Sequence, residues 1–166
     1  MPEPATLVPL SHPVSLEALA YRIYEEEANR QATGWMHEED KGEAIASLVG
    51  LWHRRAAKGW TTYAIQRDGR TVGLAGFGPV TDPDDPPGLG VYLLERGQGI
   101  GSWAACELVE RARKAGAKRM ETVAHAGNMA SHRMLEKAGF RRGGPCEAAW
   151  AVASGEPWVV WVLDLP

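Results

Sequence analysis

A glycine-rich turn near the middle of the chain has the clearest chemical meaning. Arg96 begins the run Arg-Gly-Gln-Gly-Ile-Gly, which follows an apolar stretch containing Val91 and Leu93 and leads into a helical pattern. Glycines at a strand-to-helix turn let the backbone approach a ligand closely. The first N–H groups of the helix have no intrahelical partner, and the helix dipole adds partial positive charge there. The turn therefore predicts a binding site for an anion, above all a phosphate.

Three glycine-rich phosphate motifs can be compared with this turn. A P-loop ends in Gly-Lys-Ser/Thr, whereas this chain has Gly101 and Ser102 without the lysine. A Rossmann fingerprint, G-x-G-x-x-G, normally has an acidic residue at the end of the next strand. Here the third glycine comes one position early, and His125 follows that strand. The remaining pattern is R-x-x-G-x-G, with Val91 five residues before Arg96.

A second motif lies further along the chain and has the form N-x-x-S followed by E-K-x-G-F. Asn128 is a suitable N-cap for a helix whose first turn contains Ser131, and Gly139 suits the position just after its end. Between the two motifs, charged and apolar residues alternate from Lys118 to Ala124, which predicts a strand. The region therefore reads strand, glycine turn, helix, strand, helix.

Together the two motifs resemble the acetyl-CoA loop and the last conserved helix of the GNAT N-acetyltransferases, in particular the branch that acetylates ribosomal-protein N-termini. The resemblance is strong from Val91 to Phe140 and looser over the rest of the chain. It implies a mixed α/β GNAT fold, in which a mostly antiparallel sheet contains a splayed central pair of parallel strands and is flanked by helices. It also implies acetyl-CoA as the acetyl donor and no metal.

The resemblance further implies how acetyl-CoA is bound. The pantetheine arm would enter the gap between the splayed strands and pair with backbone groups there. The pyrophosphate would lie on the amides of the glycine turn, and a backbone N–H of the preceding strand would stabilise the oxyanion. The implied cofactor-binding residues are Val91, Leu93, Arg96, Gly97, Gln98, Gly99, Ile100, Gly101, Ser102 and Asn128.

Candidate catalytic residues come from the same resemblance, for direct attack of an amine on the thioester. Many GNAT enzymes place a tyrosine in the last helix as the acid for the leaving thiolate, but this chain has Leu135 there. The N-x-x-S branch instead uses the serine, which corresponds to Ser131; departure of an unassisted thiolate is the alternative. His125 is the candidate base, because histidine titrates near neutral pH. An ordinary exposed histidine is the alternative for that position.

The amine site of this family usually lies between the first two helices, where the sequence holds His37, Glu38 and Glu39. Trp35 and Trp60 are candidate walls, although core packing is the better explanation for a tryptophan. Residues 1–95 contain 8 basic and 14 acidic side chains, whereas residues 96–166 contain 10 and 7. An acidic first part suits a cationic amine, and ordinary solvated surface explains the same asymmetry.

Length and composition predict one soluble domain that spans residues 1–166. The chain has 45% hydrophobic and 23% charged residues, which is ordinary for a globular protein. No apolar run approaches the ~20 residues of a membrane span, and no signal-peptide pattern is present, so a cytoplasmic location is expected. A net charge of -3 without a basic stripe argues against nucleic acid. Cys106 and Cys146 lack metal-like spacing.

Hydrophobic periodicity and turn residues predict the remaining elements. We expect a strand over 5–10, a helix that begins at Ser15, a second helix that ends near Lys58, and a hairpin around Asp68-Gly69. A final hairpin is expected, with strands over 146–152 and 158–163.

These observations predict an acetyl-CoA-dependent N-acetyltransferase that acts on a primary amine, at a peptide or protein N-terminus or on a small amino compound. A non-catalytic GNAT-like module that senses an acyl-CoA is the alternative, because no strong base is evident. The sequence leaves a homodimer open as an alternative to a monomer.

Overall fold

Helices and strands account for most of the chain. The computed structural model describes residues 4–10, 13–33, 41–78 and 85–166, without the side chains of 13, 14, 31–33 and 44. In chain order the elements are β1 (Thr6–Pro9), α1 (Pro13–Glu25), α2 (Glu27–Thr33), α3 (Lys41–Ala57), β2 (Thr62–Arg67), β3 (Arg70–Gly76), β4 (Gly90–Leu93), α4 (Ile100–Lys114), β5 (Arg119–His125), α5 (Met129–Lys137), β6 (Arg141–Pro145), α6 (Ala149–Ser154) and β7 (Trp158–Asp164).

The strands form two antiparallel sheets that meet along one parallel pair. The first sheet has the order β1-β2-β3-β4 and the second β5-β7-β6. Where they meet, the Glu121 N–H donates to the Pro87 carbonyl at 3.1 Å, and the Thr122 hydroxyl donates to the Leu89 carbonyl at 3.0 Å. The order of these contacts shows that β4 and β5 run in the same direction. In the part of the chain that the structure describes, no ladder joins β4 to β5, so the two strands splay apart beyond Leu89.

Helices cover both faces of the sheets. On one face, Leu108 of α4 and Leu135 of α5 lie in the largest hydrophobic cluster. On the other face, Leu19 of α1 and Trp52 of α3 pack with Leu74 of β3. These layers and the splayed parallel pair confirm the predicted mixed α/β GNAT fold. Among the described residues, no helix combines the length and apolar character needed to cross a membrane.

The final hairpin differs from the sequence prediction. The expected strand over 146–152 is wrong, because α6 occupies Ala149–Ser154, and the strand that precedes β7 in the hairpin is β6. Alanine has the highest helix propensity, and Gly155 ends the helix in the left-handed conformation at φ 70°. The β6 sequence, RRGGP, has low strand propensity, but β6 is an edge strand, where proline is tolerated.

Tyr92 projects from β4 into the layer formed by α1 and α3, where its ring lies 6.2 Å from that of Trp52. Burial raises the pKa of Tyr92 from 10.0 to about 12. The folded protein therefore keeps a phenolic proton that the unfolded chain loses above pH 10, so stability falls as pH rises through that range.

Between about pH 9 and 11, the free energy of unfolding of wild type should fall by about 1 kcal/mol more than that of Tyr92→Phe. Urea unfolding of both proteins at each pH measures this; parallel losses would contradict it.

Candidate active site

A cleft of about 670 Å³ opens where β4 and β5 separate. One wall is the end of β4 with the glycine turn, and the opposite wall is the end of β5 with the start of α5. The structure brings almost all of the sequence-predicted site residues into this cleft. They are Val91, Leu93, Arg96, Gly97, Gly99, Ile100, Gly101, Ser102, His125, Asn128 and Ser131.

The backbone of β4 faces the cleft at alternate residues. The Leu94 N–H donates to the Val72 carbonyl of β3 at 2.8 Å, so the even-numbered residues of β4 pair with that strand. Because strand backbone groups alternate in direction, Val91 and Leu93 turn their N–H and C=O groups toward the gap. These are the groups that an extended ligand can pair with.

The glycine turn needs its glycines for backbone conformation. Gly97 and Gly99 have φ values of 83° and 73°, in the left-handed region, and Gly99 is the N-cap of α4. The N–H groups that open α4 therefore face the cleft without a side-chain cap. Gln98 is the exception among the predicted residues, since it is outside the cleft lining and its side chain accepts a hydrogen bond from Arg67.

Asn29 of α2 connects the glycine turn to the first helices. Its amide nitrogen donates to the carbonyls of Leu93 (3.0 Å) and Ile23 (3.2 Å), and its oxygen accepts from Arg96 Nη2 at 2.7 Å. The acceptors and the donor determine the amide orientation, because a carbonyl can only accept and a guanidinium can only donate. Asn29 is 2% exposed and lines the cleft. It therefore holds Arg96 beside the turn and engages one cleft-facing carbonyl of β4.

Asn29→Ala should weaken acetyl-CoA binding and lower the free energy of unfolding by about 1–3 kcal/mol, because the Leu93 carbonyl and Arg96 lose their hydrogen bonds with the buried amide. Arg30→Ala is the matched control. Arg30 also donates to carbonyls at the end of α1, those of Tyr24 and Glu25. Within the described part of the chain, these hydrogen bonds do not extend to β4 or Arg96. Arg30→Ala should lower the free energy of unfolding but leave acetyl-CoA affinity unchanged. Calorimetry measures that affinity. Equal affinity in both variants would contradict the role of Asn29.

The start of α5 agrees with the sequence prediction. Asn128 is the N-cap, and its side-chain oxygen accepts the Ser131 N–H at 3.1 Å. The Asn128 amide nitrogen is therefore the group that can donate to a cofactor arm. Ser131 lines the cleft, one helical turn from Leu135, which is 2% exposed and belongs to the core. Leu135 thus supplies no polar group at the position where many GNAT enzymes have a tyrosine.

His125 lies at the end of β5 with both ring nitrogens engaged. Nδ1 accepts the Gly127 N–H at 3.0 Å, and Nε2 lies 3.0 Å from Oε2 of Glu156. The ring also packs edge-on against Trp158, with centroids 5.3 Å apart. The assignment of His125 as a base stays a prediction, and the geometry pairs it with a carboxylate that the sequence did not single out.

Sequence reasoning missed Asn29, Glu156 and Trp158, all of which line the cleft. Asn29 carries no sequence signal, and Glu156 falls in the segment between the two strands expected for the final hairpin. Trp60 packs against Phe77 with ring centroids 5.1 Å apart, which supports the core interpretation. The candidate amine-site residues Trp35, His37, Glu38 and Glu39 lie outside the described residues.

Backbone N–H groups at the start of α4 are the donors that the glycine turn presents to the cleft. Within residues 4–10, 13–33, 41–78 and 85–166, no three His, Cys, Asp or Glu side chains come together as metal ligands would. Backbone N–H groups at a helix start suit a phosphate-containing ligand such as coenzyme A.

Comparisons with known proteins agree with this geometry. Residues 5–141 match the family model of the acetyltransferase (GNAT) domain. A search of curated proteins found no match.

Solved structures with the same fold include three acetyltransferases with coenzyme A or acetyl-CoA. RimL, a ribosomal α-N-protein acetyltransferase in complex with coenzyme A, is 18% identical with a TM-score of 0.73, over 99% of this chain and 98% of that one. The putative acetyltransferase yncA from Salmonella typhimurium, with its cofactor acetyl-CoA, is 19% identical with a TM-score of 0.74, over 99% and 95%. An aminoglycoside acetyltransferase with coenzyme A is 21% identical with a TM-score of 0.72, over 97% and 95%. The chain belongs to the GNAT acetyltransferase family and is an N-acetyltransferase that uses acetyl-CoA.

Proposed function

We propose that this enzyme transfers the acetyl group of acetyl-CoA to an α-amine, at a peptide or protein N-terminus or on a small amino compound. The observation that carries the proposal is the composition of one cleft. It contains the anion-binding turn, cleft-facing backbone groups of β4, Ser131, and the pair formed by His125 and Glu156. These groups match the steps of acetyl transfer to an amine: binding of the cofactor, stabilisation of the oxyanion and movement of protons.

The cofactor would lie along β4. The pyrophosphate would accept hydrogen bonds from the N–H groups of Gln98 to Ser102, where the helix dipole favours negative charge. The pantetheine arm pairs with the backbone of Val91 and Leu93 and accepts from Asn128. An N–H of β4 that faces the gap stabilises the oxyanion of the tetrahedral intermediate.

Two proton transfers complete the reaction. Ser131 donates a proton to the sulfur of coenzyme A as the C–S bond breaks. The pair formed by His125 and Glu156 assists deprotonation of the acceptor amine. The acceptor itself follows by analogy, because RimL acts on a ribosomal protein α-amine and another relative in fold acts on aminoglycosides. A homodimer stays a prediction.

Release of free thiol from acetyl-CoA in the presence of different amines tests the function. We expect release that depends on both acetyl-CoA and an amine, at a rate well above that of hydrolysis. Tight binding of acetyl-CoA without release on any amine in the panel would favour the alternative, a module that senses acyl-CoA.

Ser131→Ala should lower kcat about 100-fold and leave acetyl-CoA affinity unchanged, because the hydroxyl acts only as the sulfur departs. Asn128 caps α5 through the Ser131 backbone N–H, which alanine keeps. Ser102→Ala in the glycine turn is the contrasting variant. It also removes one hydroxyl from the cleft but keeps the backbone N–H proposed to bind the pyrophosphate, so we expect kcat and KM for acetyl-CoA near those of wild type. An acetyl thioester of a more acidic thiol should reduce the Ser131→Ala defect. An unchanged kcat would show that the thiolate leaves unassisted.

A further inference from the structure

We propose that Glu156 accepts the proton of the acceptor amine, and that His125 is the residue that positions Glu156. The proposal rests on the proposed acetyl transfer and names the proton acceptor for it. It would make Glu156 the catalytic carboxylate, although the glutamate comes from the loop before β7 and not from the splayed strands.

The hydrogen bonds of His125 determine which ring nitrogen carries the proton. The Gly127 backbone N–H can only donate, so Nδ1, at 3.0 Å, accepts with its lone pair. The ring proton of neutral His125 is therefore on Nε2, where it donates to Oε2 of Glu156 at 3.0 Å. A second proton on the ring would require Nδ1 to give up the Gly127 N–H. The carboxylate is the member of the pair that can take a proton without losing that contact.

A network behind the glutamate holds its backbone in place. The Ser154 hydroxyl donates to the Ala151 carbonyl at 2.6 Å and accepts from the Glu156 N–H at 3.1 Å. The Trp158 indole N–H donates to the same hydroxyl at 3.1 Å, and the Trp158 ring packs against His125. Hydrogen bonds therefore hold the backbone of Glu156, and ring packing holds His125. Such support pre-organises a catalytic pair.

The proton count of the reaction is balanced with Glu156 in this role. The acceptor enters as an ammonium; one N–H bond breaks and the proton moves to the Glu156 carboxylate, which passes it to water. The neutral nitrogen attacks the thioester carbon, so a C–N bond forms and the C–S bond then breaks. The remaining excess proton on nitrogen goes to the same carboxylate and then to water. The sulfur takes one proton from the Ser131 hydroxyl, and water then returns a proton to that hydroxyl. One proton is released for each amide formed.

Exposure of the carboxylate indicates the class of acceptor. The Glu156 side chain is 44% exposed, so it stays hydrated and exchanges protons with water readily. A carboxylate at the cleft surface attracts a cationic amine, and among primary amines in proteins an α-amine loses its proton most readily near neutral pH. The site therefore suits a primary α-ammonium whose charge the carboxylate also attracts.

Kinetics of four variants test the assignment, with an α-amine peptide as acceptor. Glu156→Gln should lower kcat/KM about 100-fold near neutral pH with unchanged acetyl-CoA affinity. The loss should shrink as pH rises above the amine pKa of about 8, where the free amine needs no deprotonation before attack. His125→Gln keeps an N–H donor and should retain most of the activity, whereas His125→Ala should lose much of it. Glu147→Gln, an exposed glutamate outside the cleft lining, is the charge-matched control and should behave as wild type.

A double variant separates positioning from direct proton transfer. If His125 acts only through Glu156, adding His125→Ala to Glu156→Gln should cause no further loss. A wild-type rate and pH profile in Glu156→Gln, or a double variant far slower than Glu156→Gln, would overturn the assignment. Failure of acetyl transfer itself looks different, because wild type would then bind acetyl-CoA and release no thiol with any amine.

Discussion

Gly99→Asp should lower acetyl-CoA affinity at least ~100-fold, whereas Gly99→Asn should keep most of it. Gly99 has φ 73° and no atom within 4 Å of an added Cβ, so both side chains fit and both residues tolerate this backbone conformation to a similar degree. The two variants therefore differ mainly in one negative charge beside the proposed pyrophosphate site. Two unit charges about 4 Å apart near a protein surface repel by about 4 kcal/mol, which exceeds a hundredfold change in affinity. Isothermal calorimetry measures the dissociation constants.

Gly116→Asp is the matched control for this comparison. Gly116 has φ 87°, also has no atom within 4 Å of an added Cβ, and lies at the opposite end of α4. Gly116→Asp introduces the same residue at the same kind of backbone position, far from the anion site. This variant should bind acetyl-CoA as wild type does. Equal affinity of Gly99→Asp and Gly99→Asn for acetyl-CoA would contradict the proposal that the pyrophosphate binds at the glycine turn.

A peptide with a free N-terminus should be acetylated about 100-fold more efficiently, in kcat/KM, than a blocked peptide that carries lysine. A lysine amine has a pKa of about 10.4 and an α-amine one of about 8, so near pH 7 lysine costs about 3 kcal/mol more to deprotonate. Only a buried, strong base could offset that difference. Among the described residues of the cleft lining, the one carboxylate is that of Glu156, which is well hydrated.

The pH dependence of this preference is the control. As the pH approaches about 10, lysine also becomes neutral in solution, so the ratio of the two rates should fall toward one. Faster acetylation of the blocked lysine peptide near pH 7 would show that a stronger base operates, and would contradict the α-amine assignment.

Local chemistry explains why the turn and the helix start of the proposed cofactor site could be predicted from the sequence. Positive φ values at Gly97 and Gly99 and the hydrogen bond from Ser131 to Asn128 involve residues within a few positions of one another. Helix starts and tight turns depend on such neighbours, so the sequence reveals them directly. Hydrophobic periodicity likewise placed the strand and helices that carry these motifs, and the resemblance of the motifs to the GNAT family implied the mixed α/β fold.

The amine side of the cleft depends on contacts between distant parts of the chain. His125 meets Glu156 because β5 pairs with β7 in a register that places His125 opposite Trp158. One contact beside the glycine turn also depends on tertiary packing, since Asn29 reaches Leu93 from a helix far earlier in the sequence. The helix α6, in place of the expected strand, also belongs to this hairpin. Neither strand register nor the packing of a short helix is encoded by neighbouring residues alone, because both depend on which surfaces are buried together. Local sequence therefore determined the backbone of the proposed phosphate site, and tertiary packing decided which side chains line the proposed amine side of the cleft.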